Sequence, residues 1–264
     1  MFDKIYCSDA VDFLRDNINN CSVDLVLTSP PYDNLRQYGQ VDLKLLGKEI
    51  FRILKDGGIA VMVIQDQTRN FGKSLTSFRT IINWCDDAGF KLFECLIYSR
   101  FGVPGGWWSK RFRVDHEYMP VFLKGDKPRV FNKDFLSIPS KSYGGILHGT
   151  KRSTSGETYR IKNEGYVYKA QKDRGTIWNY LPSSLEKGRN KEKLKHPATF
   201  PNLLASDHVL CWTNQGDLVL DPMCGSGTVC AEAKKNKRHF IGIDINQDYC
   251  NTSNNILGIV NASS

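Results

Sequence analysis

Thr28-Ser29-Pro30-Pro31-Tyr32 near the start of the chain and Asp221-Pro222-Met223-Cys224-Gly225-Ser226-Gly227-Thr228 near its end hold the residue types best suited to chemistry. The first offers two hydrogen-bond acceptors, the Ser29 hydroxyl and the Pro30 carbonyl, on a turn stiffened by two prolines, with an aromatic face in Tyr32. Such a turn can orient the N–H groups of a planar, polar substrate. The second contains Gly225 and Gly227, which let the backbone approach a ligand and adopt positive φ. Either stretch alone is unremarkable, since many strand-to-helix connections contain glycine and many turns contain paired prolines. Asp244, at the end of the next apolar run in Gly242-Ile243-Asp244-Ile245-Asn246, changes the balance. A carboxylate there can accept hydrogen bonds from both ribose hydroxyls of a nucleoside-containing cofactor. The glycine turn is neither a full G-x-G-x-x-G fingerprint nor a phosphate-cradling G-x-x-x-x-G-K-[ST] loop, so pyrophosphate binding is disfavoured.

These segments need elements to position them. Val23 to Leu27 and Leu218 to Leu220 read as buried strands, and the prolines at 30 and 31 end the first because they bring no N–H to a ladder. In an open α/β sheet ligands bind at the carboxyl ends of the strands, so two turns far apart in sequence are predicted to meet there. Further strands are expected at residues 4–8, 59–64, 91–98, 117–123 and 240–243. Helices are expected from Asp9 through Ile18, over 41–54 with a left-handed cap at Asp56-Gly57-Gly58, and over 75–88 ended by Gly89. Others are expected over 202–212, from the glycine turn through Lys237, and over 247–257. Alternating strands and helices predict a doubly wound α/β fold: a Rossmann-like, mostly parallel sheet with helices on both faces.

The chain has 264 residues, 41% hydrophobic and 24% charged, enough for one sizeable core. Residues 124–195 carry 17 Lys and Arg against 7 Asp and Glu, whereas the remainder is nearly balanced at 19 against 21. The whole excess of the +8 net charge therefore sits in one segment, the footprint expected of a polyanion contact. There the periodicity fades, and Phe131, Phe135, Tyr143, Tyr159, Tyr166, Tyr168, Trp178 and Tyr180 alternate with cations. Most of these aromatics are expected to form a small local core. Arg36, Lys141, Lys151, Arg152, Arg160, Lys172 and Arg174 are the candidate nucleic-acid contacts. Three blocks are expected: 1–123, the insertion 124–195, and 196–264, with the outer two forming one α/β domain.

The eight cysteines form no C-x-x-C pair, and the five histidines offer no clustered ligands, so reduced structural thiols and no metal are expected. No run approaches the roughly 18 apolar residues of a membrane span. Met1-Phe2-Asp3-Lys4 lacks the pattern of a signal peptide. A cytoplasmic location is the expectation.

Ser29-Pro30-Pro31-Tyr32, Asp221 to Thr228 and Ile243-Asp244 together resemble the beta-class DNA amino-methyltransferases, which move a methyl group from S-adenosylmethionine to an exocyclic base nitrogen. The resemblance extends to Ser8-Asp9-Ala10, although Ser8 stands where glycine is usual, to Arg111 through Tyr118, and to His196 through Pro201. It covers most of the chain outside 124–195. The order, base turn first and cofactor turn last with the basic insertion between, is similar to the circularly permuted arrangement of that class. The resemblance implies S-adenosylmethionine as cofactor, bound by Asp9, Ala10, Thr28, Phe200, Pro201, Asp221 through Thr228, Asp244 and Ile245. It implies Ser29, Pro30, Pro31 and Tyr32 as the catalytic residues acting on a base flipped out of duplex DNA. In this family a serine at position 29 is typical of N4-cytosine enzymes, and Asp or Asn of N6-adenine enzymes, so cytosine N4 is favoured over adenine N6. A silent nucleic-acid binder on the same scaffold and an enzyme for RNA or a small molecule are the competing readings. Expected partners are double-stranded DNA, a cognate restriction endonuclease and a second copy of the chain, with no membrane.

Overall fold

The computed structural model describes residues 1–31, 41–100, 112, 114–181 and 201–259. In chain order the larger unit begins with β1 (Lys4–Cys7), α1 (Ala10–Asn17), β2 (Val23–Thr28), α2 (Leu43–Ile53) and β3 (Leu54–Met62). A short ribbon of β4 (Thr68–Arg69) and β5 (Gly72–Lys73) leads to α3 (Thr76–Asn83), a π-turn at Trp84–Ala88, β6 (Lys91–Ser99) and β7 (His116–Leu123). A smaller compact unit, Lys133–Gly175, contains β8 (Ile138–Pro139), β9 (Thr150–Arg152), β10 (Thr158–Arg160) and β11 (Gln171–Lys172). The larger unit resumes with β12 (Ile177–Asn179), α4 (Asn202–Trp212), β13 (Leu218–Asp221), α5 (Thr228–Lys235), β14 (His239–Asp244) and α6 (Gln247–Leu257).

Eight strands form one sheet in the order β1-β14-β13-β2-β3-β7-β6-β12. Only β7 runs against its neighbours, β3 and β6; the other pairings are parallel. The fold class is therefore the expected one. Short polar side chains start the helices: Asp9 accepts from Asp12 N at 3.0 Å, Asp42 from Lys44 N at 2.9 Å, and Asn246 from Asp248 N at 2.8 Å. Leu14, Leu46, Ile50, Ile53, Met62, Trp84, Phe122 and Ile241 share a fully covered core. Each such side chain contributes about 1.5–3 kcal/mol on burial. Gly47 lets α2 close on Trp84, because a Cβ there would overlap the indole ring, and Trp84 Nε1 donates to Leu43 O at 2.8 Å.

Three expectations need correction. Asp56-Gly57-Gly58 does not cap α2, whose terminus passes directly into extended backbone at Leu54. These residues form a bulge in β3: Leu54 faces Val23 and Ile59 faces Leu25, so the extra residues loop out, with Gly57 at φ +76°. Gly57 N donates to Lys124 O at 2.7 Å, and Gly57 O accepts from Arg129 N at 2.9 Å. Second, residues 124–132 and 176–181 belong to the larger unit, so the separate basic unit is shorter than 124–195. Third, its aromatics do not form a local core. Trp178 and Tyr180 are buried in the larger unit, while Phe135, Tyr143, Tyr159 and Tyr166 stay exposed.

Asp24 fastens the sheet at the end opposite the two turns. Although only 5% exposed, its carboxylate accepts from Lys55 Nζ at 2.8 Å, Arg129 Nη1 at 2.6 Å and the Leu218 backbone N at 3.0 Å. It thus joins β2, β3, the segment after β7, and β13. Lys55 and Arg129 are one-third or more exposed, so water compensates part of their loss. Asp24→Ala should still cost about 2 kcal/mol, mainly through the orphaned Leu218 N–H and the broken network. The expected readout is a lower urea midpoint with an unchanged slope.

Candidate active site at the carboxyl edge of the sheet

Four neighbouring parallel strands, β1, β14, β13 and β2, deliver their carboxyl ends to one edge, and the described candidate residues of both turns lie there. β13 pairs with β2 through Val219 opposite Leu25 and Leu220 opposite Val26. Asp221 therefore emerges beside Leu27 and Thr28. The spatial convergence expected of the two distant turns is present.

β2 is buried along its whole length and stops at Thr28, where the prolines take over. Ser29 and Pro31 are partly exposed and Pro30 is buried. Thr28 O accepts from Val63 N at 2.8 Å, which ties the start of the turn to the exit of β3. The buried Thr28 hydroxyl lies beside the Asp221 carboxylate and favours its charged form. Tyr32, Arg36 and Phe200 lie outside the described residues, as do residues 196–199.

Asp221 is 3% exposed, and Met223 N donates to its Oδ1 at 3.1 Å, folding Asp221-Pro222-Met223 into a tight Asx-turn. Burial pushes its carboxyl up to about 7, opposed by the Met223 N–H and the neighbouring Thr28 hydroxyl and reinforced by the charge of Asp244. The turn continues with Cys224 N donating to Ile243 O at 2.8 Å and Gly227 N to Cys224 O at 2.8 Å. Gly225 and Gly227 have φ of +51° and +76°, and α5 starts at buried Thr228. Contact with Cys230 and burial hold the Cys224 thiol well above its ordinary range, so it is no nucleophile.

Asp244, at the end of β14, accepts from Gly225 N at 2.8 Å and from Asn246 N at 2.9 Å, one bond on each oxygen. Burial raises its carboxyl above the usual range, and these backbone donors pull it back. The Ile245 N–H adds to them, and the carboxylate keeps acceptor capacity for a further donor. Ser8 N bonds Asp244 O at 3.0 Å, which places Ser8-Asp9-Ala10 alongside. Asp9 caps α1 with one oxygen, while Ile245 stands out into solvent. The edge thus presents two carboxylates, a glycine turn and a rigid acceptor turn. It suits a ligand with a diol and a cationic group, set beside a planar amine.

Sequence reasoning missed Ser253, whose hydroxyl reaches the glycine turn from α6, and Asp24 at the far end of β2. Neither carries a local signal, since each acts on a partner distant in sequence.

Among the candidate cations of the smaller unit, Lys141, Lys151, Arg152 and Lys172 are exposed, and Arg160 pairs with Glu164 at 3.2 Å. Arg174 is partly covered.

The DNA methylase family model, which spans N6 and N4 methyltransferases, matches residues 23–255. The chain belongs to this family and is a DNA methyltransferase of the N4/N6 amino class. It is 35% identical over 246 residues to the orphan methyltransferase M.BamHII of Bacillus amyloliquefaciens, covering 91% of each chain. Its fold matches that of the cytosine-N4-specific PvuII DNA methyltransferase with a TM-score of 0.71 at 18% identity, covering 100% of this chain and 92% of that one. It also matches the M1.HpyAVI–SAM complex with a TM-score of 0.62 at 22% identity, covering 96% and 98%. No helix among the described residues is long and apolar enough to cross a membrane.

The raised carboxyl of Asp221 makes a signed prediction. Between its unfolded value near 3.8 and its folded value of about 7, the folded chain holds a proton that the unfolded chain has lost. The ligand-free protein therefore loses stability as pH rises across that window. Melting temperatures from pH 5 to 8 should fall, and Asp221→Asn should flatten the part of the fall that Asp221 causes. Over the same window, affinity for a ligand presenting an ammonium group to Asp221 should rise in the unsubstituted protein only.

Proposed function

We propose that the protein transfers a methyl group from S-adenosylmethionine to the exocyclic N4 of cytosine in duplex DNA, at a specific site and after the base is flipped out. The observation that carries this reading is the adjacency of the Ser29-Pro30-Pro31 turn and Asp221 at the carboxyl ends of the paired strands β2 and β13. The SAM complex of a structurally similar protein supports the choice of cofactor. The residues at the edge fit that group. Asp221 would hold its amino end, Asp244 and the Asp9-Ala10 segment its ribose and adenine, and the turn from Pro222 to Thr228 its path between them. Ile245, Pro201 and Phe200 would flank it, and the Thr28 hydroxyl beside Asp221 would add a polar contact.

The bound cofactor supplies an electrophilic methyl group. The chain must make the amine nucleophilic, because its lone pair is delocalised into the ring. The Ser29 hydroxyl and the Pro30 carbonyl accept hydrogen bonds from the two N–H groups and turn the lone pair out of the ring plane. One proton leaves to solvent as the N–C bond forms. Tyr32 stacks on the flipped base and Pro31 keeps the turn stiff. No covalent enzyme intermediate is required, and the buried, protonated Cys224 offers none.

The smaller unit is assigned to target recognition. Lys141, Lys151, Arg152, Arg160, Lys172 and Arg174 would neutralise phosphates or read base edges, and Arg36 is a further candidate contact. The chain order, base turn before cofactor turn, fits the circularly permuted class, and restriction-modification is the proposed setting. A cognate endonuclease, a homodimer and a cytoplasmic location go with that reading.

Incubation with labelled cofactor and mixed duplexes, followed by digestion to nucleosides and mass measurement, should yield N4-methylcytosine. N6-methyladenine alone would move the assignment to adenine. Asp221→Ala should abolish cofactor binding, whereas Ser29→Ala should lower kcat about a hundredfold with cofactor still bound. Unchanged turnover in the Ser29 variant would remove the amine-orienting role.

A further inference from the structure

Gly225 is gripped on both sides of its α-carbon. Its N–H donates to Asp244 Oδ2 at 2.8 Å, and its carbonyl accepts from the Ser253 hydroxyl at 2.6 Å. Ser253 lies on α6, fully buried, and nothing in the sequence around it signals a ligand contact. The same side chain fills the space over Gly227, where a Cβ would come within 2.9 Å of Ser253 Oγ. The φ of +51° at Gly225 is a conformation that glycine tolerates but does not require. The Ser253 hydroxyl adds a side-chain restraint to the backbone bonds from Cys224 N to Ile243 O and from Gly227 N to Cys224 O.

We propose that Ser253 is a positioning residue of the cofactor site, acting through Gly225 to fix the orientation of the Asp244 carboxylate. Asn246 N holds Oδ1 and Gly225 N holds Oδ2, which leaves the outward lone pairs aimed at a vicinal diol. Removing the Ser253 hydroxyl frees the Gly225 carbonyl, loosens the donor on Oδ2 and lets the carboxylate turn. Diol recognition then weakens, while contacts to the methionine end at Asp221 persist. This rests on the assignment of Asp244 to the ribose.

The test compares binding of S-adenosylhomocysteine and its 2′-deoxy derivative to the full chain by calorimetry. The unsubstituted protein should prefer the ribose form. Ser253→Ala should reduce that preference about fivefold, the scale of one hydrogen bond, and Ser253→Thr, which keeps the hydroxyl, should retain it. Alanine is the better helix former, so α6 persists; Ser253→Cys, close in size and a weak donor, gives a second variant expected to behave like alanine. An equal loss of affinity for both ligands in the alanine and cysteine variants would overturn the proposal, because a purely structural serine would weaken both alike. Absence of any ribose preference in the unsubstituted protein would instead overturn the assignment of Asp244, and the Ser253 role with it.

Discussion

The site exists because β2 and β13 lie side by side. No connection short in sequence brings Thr28 next to Asp221, and the backbone register between the two strands runs over two residue pairs, Val219 with Leu25 and Leu220 with Val26. Asp24 lengthens that pairing from within: its carboxylate takes the Leu218 N–H, so a side chain of β2 acts as one more rung to β13. Lys55 and Arg129 neutralise the charge, which makes its burial tolerable. The same carboxylate binds Lys55 next to the β3 bulge, in which Gly57 bonds to Lys124 and Arg129. A single buried anion at the amino end of the sheet thereby sets the alignment on which the opposite edge depends.

At that opposite edge the energetics run the other way. Asp221 and Asp244 are carboxylates raised by burial, and the charge of Asp244 raises the cost of ionising Asp221 further. Asp24 has two cations as partners; Asp221 has one backbone N–H and a nearby hydroxyl. Such an arrangement is poor for stability and suited to a cationic ligand, whose arrival supplies the missing counter-charge. Strain of this kind marks a site rather than a core, because a core carboxylate is found with its partners in place.

The elements that repeat a local pattern were legible in the sequence. α6 spans the expected residues, and β2, β13 and β14 follow from apolar runs closed by proline, glycine or aspartate. The glycine turn and Asp244 were readable because each sits next to its own strand. What escaped depends on partners elsewhere. Gly57 and Gly58 look like a helix stop, yet β2 and the segment after β7 recruit them into a bulge. Ile177–Asn179 looks like part of a polar insertion, yet its alternating burial is that of an edge strand paired with β6, with Trp178 turned inward against His208. The exposed tyrosines of the smaller unit fail to make a core because its two-stranded ribbons are too short to cover them.

Gly225 shows why the glycine turn works only within this fold. Glycine gives the turn access to unusual φ, and for the same reason gives the unfolded chain many conformations to lose. A ligand site needs the opposite of that freedom, since disorder remaining before binding weakens affinity when it is removed. The turn is restrained from three directions: Cys224 N by Ile243 O on β14, Gly225 N by the Asp244 carboxylate, and Gly225 O by Ser253 on α6. Two of these restraints come from β14 itself, whose own place is fixed by pairing with β1 and β13. The flexible residue is thus made rigid by elements that fold for reasons of hydrophobic burial. The free energy that orders the site is drawn from the core and does not have to come from the ligand.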